Sequence, residues 1–309
     1  MGKNKRKGGL TGLARFVQES FKSDLPTPNS NQDSESPTKK RKFDETVVKK
    51  QYFATGLVPH YEYESQVPEH LQKYFSQRYR MFSLYSEPPG CLLDEEGWFS
   101  VTPERIANQI AERCRCDTIL DAFCGVGGNA IAFAQTCNRV IALDTSPVRL
   151  ALARHNAEIY GVADRIEFIL ADYISFANTL ASSTPKSTSE SNSSSTKQRI
   201  IDVVFLSPPW GGPSYLASVD TNGDAVETTE HPSYTLDSIL PIPGTELFTL
   251  SRKLTPNIAY YLPRNTSIDE ISKLAPNESI EVEEEWMGNK LKALTCYFGG
   301  LAAGQEELF

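Results

Sequence analysis

Long apolar runs are missing from this chain of 309 residues. Each hydrophobic stretch is broken by a charge or a proline within about ten residues, against the roughly 20 that a membrane-spanning helix needs. No membrane span is therefore expected. Histidine is scarce at four, and the six cysteines (Cys91, Cys114, Cys116, Cys124, Cys137, Cys296) contain no Cys-x-x-Cys pair. A metal site is thereby disfavoured, and free thiols in a reducing compartment are expected. The opening Met1 to Leu10 is basic but leads into no apolar segment or cleavage signal, so a secretory leader is not expected either.

Apolar residues make up 39% and aromatics 10%, which over this length supports one large α/β domain plus a tail. The net charge of −8 hides an asymmetry: residues 1–50 hold 12 Lys and Arg against 6 Asp and Glu, and the remainder holds 19 against 33. A basic tail thus precedes an acidic body, so any contact of that body with a polyanion has to be local. Residues 1–66 are rich in Lys, Ser, Pro, Asn and Gln without an apolar period and are expected to be disordered. Within them Pro37 to Glu45 (PTKKRKFDE) has the pattern of a nuclear import signal, and equally of a solvated charge run. A Ser/Thr-rich stretch, Ala181 to Lys197, reads as a surface loop inserted over residues 178–198.

Elsewhere strand and helix signals alternate. Thr102, Pro103 and Glu104 read as N-cap, first helical residue and first-turn acid of a helix carrying Ile106 and Ile110 on one face. Strand patterns follow at Thr118 to Phe123, Arg139 to Leu143, Ile166 to Leu170, Ile200 to Leu206 and Ile258 to Leu262. Helices are predicted over Ala130 to Cys137, from Pro147 to Tyr160 between Ser146 and Gly161, near Glu246 to Lys253, and over Ile268 to Leu274. A closing hairpin, Ile280 to Met287 and Leu291 to Phe298, turns at Gly288-Asn289. Such alternation predicts an α/β fold: a mostly parallel sheet with helices on both faces, into which the hairpin inserts an antiparallel strand.

Three acids sit at three strand ends: Asp121, Asp144 and Asp172. Asp121 opens the turn Asp121 to Gly128, whose Gly125 and Gly127 let backbone approach a ligand where open α/β sheets bind cofactors. The third glycine of the dinucleotide fingerprint is lacking, and a carboxylate at Asp121 would repel a pyrophosphate. It suits the cationic amino-acid portion of S-adenosylmethionine, with Asp144 placed for the ribose hydroxyls and Asp172 for the adenine amine. Ser207-Pro208-Pro209-Trp210 ends the fourth strand. Two prolines fix that loop and leave carbonyls as acceptors, Ser207 adds a hydroxyl, and Trp210 adds a flat stacking face. Together they suit an exocyclic amine on a planar ring held in line with a methyl donor.

The tetrapeptide resembles the (D/N/S)PP(Y/F/W) motif of class I amino methyltransferases. Longer segments resemble the trimethylguanosine synthase family of RNA cap guanosine-N2 methyltransferases: Gln72 to Phe82, Glu96 to Glu104, Asp121 to Asn129, Ala151 to Arg154, Asn156 to Glu158, Phe205 to Pro213, Tyr261 to Asn265 and Asn289 to Gly299. The resemblance spans residues 68–303. It implies a Rossmann-like seven-stranded sheet over residues 101–309, preceded by a small helical extension, 67–100, that contributes to the cap site.

It also implies roles. Phe82, Thr102, Asp121, Gly125, Gly127, Asp144 and Asp172 would line the S-adenosylmethionine site. Trp210 would stack on N7-methylguanine, Ser207 and Asn156 would hold the base edge, and Pro208 would accept from the N2 amine. Ser207, Pro208 and Trp210 are thus the expected catalytic residues. Lys73, Tyr215 and Arg264 would reach the triphosphate. Ser214 stands where the family often has an acid, and the Ser/Thr loop is an insertion. The implied activity is double methylation of 7-methylguanosine caps on small nuclear and nucleolar RNA, in the nucleus and nucleolus, with snRNP or snoRNP proteins as partners and no metal. An adenine-N6 or other base-amine methyltransferase, and a silent cap-binding module, are the alternatives; an NAD dehydrogenase is disfavoured because no histidine or tyrosine-lysine constellation stands out.

Overall fold

The computed structural model describes residues 53–183, 200–211 and 233–303. The import-signal pattern, most of the Ser/Thr-rich insertion, Ser214 and Tyr215 lie outside the described residues. Seven strands form one sheet: β1 (Thr118–Asp121), β2 (Arg139–Asp144), β3 (Ile166–Leu170), β4 (Val203–Leu206), β5 (Ile258–Pro263), β6 (Glu281–Met287) and β7 (Lys290–Phe298). Their order is β3-β2-β1-β4-β5-β7-β6. β1 to β5 run parallel, and β7 lies antiparallel to both β5 and β6. This is the expected mostly parallel sheet with one reversed strand.

Continuous apolar sequence in β4 and β5 follows from burial on both faces. Side chains alternate between two core layers. Ile119, Val203, Phe205, Ala259 and Tyr261 join Ile110, Phe133 and Leu152 on one side; Leu120, Val204, Leu206, Tyr260 and Leu262 join Tyr173, Leu247 and Phe248 on the other. Helices Glu104–Arg113, Gly128–Thr136 and Pro147–Ile159 cover the first layer, and Tyr173–Ser183 and Gly244–Ser251 the second. Ser146 caps its helix as expected, accepting from the Arg149 N–H. Among the described residues no helix is long and apolar enough to cross a membrane.

Three expectations need correction. Thr102 is not an N-cap: the helix starts at Glu104 with Pro103 in the cap position, and Thr102 is buried with its hydroxyl accepting from Asn129 Nδ2 at 2.9 Å. Residues 178–183 do not begin a loop. They complete the helix Tyr173–Ser183, whose apolar Tyr173 and Ala177 pack in the second layer. Residues 53–66 do not behave as a tail throughout, because Ala54 is buried and its N–H donates to His155 Nδ1 at 3.0 Å, and Tyr85 Oη donates to the Tyr61 carbonyl at 3.0 Å.

The extension carries three short helices, Glu69–Phe75, Arg78–Met81 and Glu95–Ser100. One helix of the sheet domain, Pro147–Ile159, grips its backbone. His155 Nε2 donates to the Gly90 carbonyl at 2.7 Å, Asn156 pairs with Leu92, and the adjacent Tyr160 hydroxyl accepts from the Leu84 N–H. Polar side chains on a helix therefore satisfy backbone groups of a segment that has no sheet partners of its own.

Candidate active site

Because β1 to β4 are parallel neighbours, their carboxyl ends open on one edge of the sheet, at the centre of which β1 and β4 pair Asp121 with Phe205. Asp121 is fully buried. Its Oδ1 accepts weakly from the Phe123 N–H at 3.4 Å, and Oδ2 has no hydrogen-bond partner among the described residues. Burial pushes its carboxyl up to about 7, with the neighbouring Asp144 adding to the rise against the Phe123 bond. An unpartnered buried carboxylate of this kind fits a cationic amine.

Asp144, at the end of β2, is tied into the same turn, accepting from the Gly125 N–H at 3.1 Å and the Ser146 N–H at 2.7 Å. Burial raises its carboxyl also, opposed by these bonds and by Arg149. Gly125 (φ 52°) and Gly127 (φ 92°) adopt left-handed backbone. A Cβ on Gly125 would meet open space, whereas one on Gly127 would press on Ala153 at 3.0 Å, so the first shapes the turn and the second lets the helix Pro147–Ile159 approach. Asp172 caps the helix Tyr173–Ser183, its Oδ2 accepting from the Ser175 N–H and hydroxyl at 2.9 and 2.8 Å. Partial burial works against ionisation there, and the bonds from Ser175 and Ile174 outweigh it, holding the carboxyl below its ordinary value. Phe82 is buried and packs at 6.1 Å from the Tyr160 ring.

Trp210 stands half-buried beyond β4, its ring 5.1 Å from that of Tyr261 on β5 at an interplanar angle of 33°. Tyr261 thus backs the indole, and Tyr234 donates to the Trp210 carbonyl at 3.5 Å. Pro208 is buried while Ser207 is half-exposed at the same strand end. Beside them Arg264 follows β5 and donates to the Leu291 carbonyl at 3.3 Å.

Asn156 does not belong with these residues. It is fully buried, with Oδ1 accepting from the Leu92 N–H at 2.8 Å and Nδ2 donating to the Leu92 and Val126 carbonyls, both at 2.9 Å. Both amide protons are engaged, so the expected contact with a base edge is replaced by a structural one. Lys73 is exposed, 4.8 Å over the Tyr74 ring.

Two features escaped the sequence reading. Asn129, buried in the glycine turn, keeps its Oδ1 without a hydrogen-bond partner among the described residues. And Lys292 on β7 is crowded by cations: burial first, then Lys290, Arg80 and Arg264, hold its ammonium below the ordinary lysine value. Four basic residues from three distant segments thus converge beside the tryptophan's strand end, a local positive spot on an acidic body.

The sequence of residues 116–301, which spans the three acids, the glycine turn and the tryptophan loop, matches the model of a family described as RNA cap guanine-N2 methyltransferase. The chain belongs to this family. It is an S-adenosylmethionine-dependent RNA methyltransferase. A trimethylguanosine synthase of Schizosaccharomyces pombe is 36% identical over 242 residues, 75% of this chain and 87% of the relative. That of Saccharomyces cerevisiae is 32% identical over 252 residues, 77% of this chain and 71% of the relative. A crystal structure from Porphyromonas gingivalis, of a protein named as a methyltransferase, shares the fold at a TM-score of 0.52 and 10% identity, covering 76% of this chain and 52% of that one. Within the family's frame the acids and glycines fit S-adenosylmethionine on their own geometry, since Asp121 holds an unmet acceptor where a cation belongs and Gly125 leaves room beside it.

Proposed function

We propose that this cap guanine-N2 methyltransferase converts 7-methylguanosine caps to the 2,2,7-trimethyl form in two successive transfers. The substrates would be small nuclear and nucleolar RNAs, in the nucleus including the nucleolus, with snRNP or snoRNP proteins as delivery partners. One observation carries the reading: a tryptophan backed by Tyr261 lies at the strand end next to Asp121, with a cluster of four cations nearby.

Bound S-adenosylmethionine supplies a methyl group made electrophilic by its sulfonium. Asp121 would hold its ammonium, Asp144 its ribose hydroxyls and Asp172 its adenine, with Phe82 and Thr102 lining the pocket. Trp210 stacks on the N7-methylated ring, and the positive charge of that ring favours the indole by roughly 0.5 to 2 kcal/mol over plain guanine. Ser207 and the Pro208 carbonyl accept hydrogen bonds from the N2 amine, two before the first transfer and one before the second, which orients the nitrogen lone pair and favours the charge that develops on it. Arg264, with Lys73 and Tyr215, engages the triphosphate, and Arg80, Lys290 and Lys292 extend that contact.

The test compares methyl transfer to m7GTP and GTP, counting added methyls by mass spectrometry. Two methyls on m7GTP and none on GTP is the expected result. Equal rates on both would remove the cation-stacking argument, and methylation of uncapped RNA or DNA would move the assignment to another base amine.

A further inference from the structure

At the opposite end of the sheet from the cofactor acids, two thiols face each other. Cys116 Sγ and Cys137 Sγ lie 3.8 Å apart, 21 residues separated in sequence. That spacing is the register of the strands they precede: Thr118 pairs with Arg139, and the Arg139 N–H still donates to the Asp117 carbonyl at 2.9 Å. Carried two residues back, the same offset sets Cys116 opposite Cys137 with both side chains on one face. Adjacent chains in a sheet lie about 4.8 Å apart, inside the Cα separation of roughly 4.4 to 6.8 Å that a disulfide spans. Neither backbone has to move far for the sulfurs to meet.

The surroundings favour reaction at this pair over the other four thiols. Cys116 is half-exposed and lines an open cleft of about 560 Å3 with Arg115, Thr136 and Asp202, and it gives the pair its access to solvent, since Cys137 is buried, as are Cys91, Cys114, Cys124 and Cys296. The Cys116 S–H donated to Cys137 lowers the Cys137 thiol against the effect of burial, and the Thr136 hydroxyl at 3.7 Å and the Arg115 cation act in the same direction. The same hydrogen bond, with burial, raises the Cys116 thiol, which is therefore the proton donor of the pair, and burial raises the thiols of the other four.

We infer that Cys116 and Cys137 are a modification site, a dithiol that a hydroperoxide closes reversibly into a disulfide. Cys137 as thiolate takes one oxygen from hydrogen peroxide and hydroxide leaves, giving a sulfenic acid. Cys116 then attacks that sulfur, the S–S bond forms, and water leaves with the Cys116 proton. Two thiols and one peroxide yield one disulfide and two waters, and a dithiol reductant reverses the change. The ring so closed, residues 116–137, contains Asp121 and the glycine turn, so oxidation staples the base of the segment that forms the cofactor site without touching its ligands.

The full chain is treated with graded hydrogen peroxide, alkylated with N-ethylmaleimide, and mapped with a protease that cuts between the two cysteines. Alkylatable thiols should fall from six to four, with one cross-link, Cys116 to Cys137, reversed by dithiothreitol. Cys116→Ser and Cys137→Ser should each abolish the cross-link, and Cys114→Ser should retain it. The oxidised wild-type chain should unfold several degrees higher and show slower amide exchange over residues 121–129, a gain absent from both serine variants at 116 and 137. Should a variant fail to fold, the two-hydrogen mass loss on that peptide of the wild type still decides. A link to Cys114, sulfinic acid at Cys116 without a link, or six thiols surviving peroxide would each overturn the inference.

Discussion

Asn156 and Leu92 form a closed pair, the asparagine Oδ1 accepting from the leucine N–H at 2.8 Å and Nδ2 donating to its carbonyl at 2.9 Å. A third bond, from Nδ2 to the Val126 carbonyl, links this pair to the glycine turn. One buried side chain therefore joins the extension, the helix Pro147–Ile159 and the cofactor loop.

Asn156→Ala leaves three buried backbone groups without partners, each costing about 1 to 3 kcal/mol. Stability should drop by at least about 3 kcal/mol in urea denaturation. If the asparagine instead contacted the base edge, the variant would keep wild-type stability and lose only cap affinity.

Asp121 gives the ligand-free protein a distinct pH dependence. Its carboxyl rises from 3.8 in the unfolded chain to about 7 in the fold, so the folded state holds the proton more tightly. The associated stability is fully present below pH 3.8 and is lost as pH rises through about 7, on the order of a few kcal/mol. Asp121→Asn should flatten this part of the profile while weakening S-adenosylmethionine binding about 30-fold or more, since a charge-assisted bond is lost. Denaturation at several pH values and calorimetric titration with the cofactor check the two halves separately.

Trp210 separates cap binding from cofactor binding. Trp210→Ala should weaken binding of m7GTP by about 30-fold, the upper end of a cation-to-indole contact, with S-adenosylmethionine affinity within about threefold because Asp121 and Asp144 are untouched. Trp210→Phe should retain part of the affinity. Fluorescence titration with m7GTP and with the cofactor reads both, and loss of cofactor affinity in the alanine variant would show the indole to be misassigned.

The sheet was legible because its signals are local. Runs such as Val203 to Leu206 and Ile258 to Pro263 are apolar for their whole length, and each acid or glycine that ends a strand follows directly in sequence. What escaped was set by contacts between distant segments. Nothing around Asn156 signals that its amide is saturated by a backbone 64 residues earlier. Thr102 has every local attribute of a cap, yet its hydroxyl is taken by Asn129. Asp172 with Ser175 carries a capping signal as local as any other, and it coincides with the strand-end position of a ligand-binding acid, so the two roles share one residue in the sequence.

The converging cations bear on how the cap's phosphates are read. Lys292→Gln removes the member whose ammonium is most crowded, by Lys290, Arg80 and Arg264. Its KM for m7GTP should rise about 10-fold or more, the salt dependence of binding should become shallower, and turnover of 7-methylguanosine lacking phosphates should be unchanged. An equal loss with the nucleoside would place Lys292 in folding or base recognition.

His155 sets an acid limit that opposes the Asp121 trend. It is fully buried, and its ring is neutral in the arrangement observed: Nδ1 accepts from the Ala54 N–H at 3.0 Å and Nε2 donates to the Gly90 carbonyl at 2.7 Å. Burial lowers its value below the ordinary 6.5, against the help of the Gly90 bond and with a smaller push from the His60 ring. A base depressed in the fold stabilises above its unfolded value, and that contribution is lost as pH falls through the folded one. Protonation also removes the acceptor that holds Ala54, so residues 53–60 should detach first. Protection of the Ala54 amide, measured against its intrinsic exchange rate, should hold at pH 6.5 and above and fall only below it, where the depressed value of the folded ring is passed, while His155→Phe, which cannot accept, should leave the amide unprotected across the whole range. Uniform protection of Ala54 at all pH values in the wild type would show that the histidine does not hold this segment.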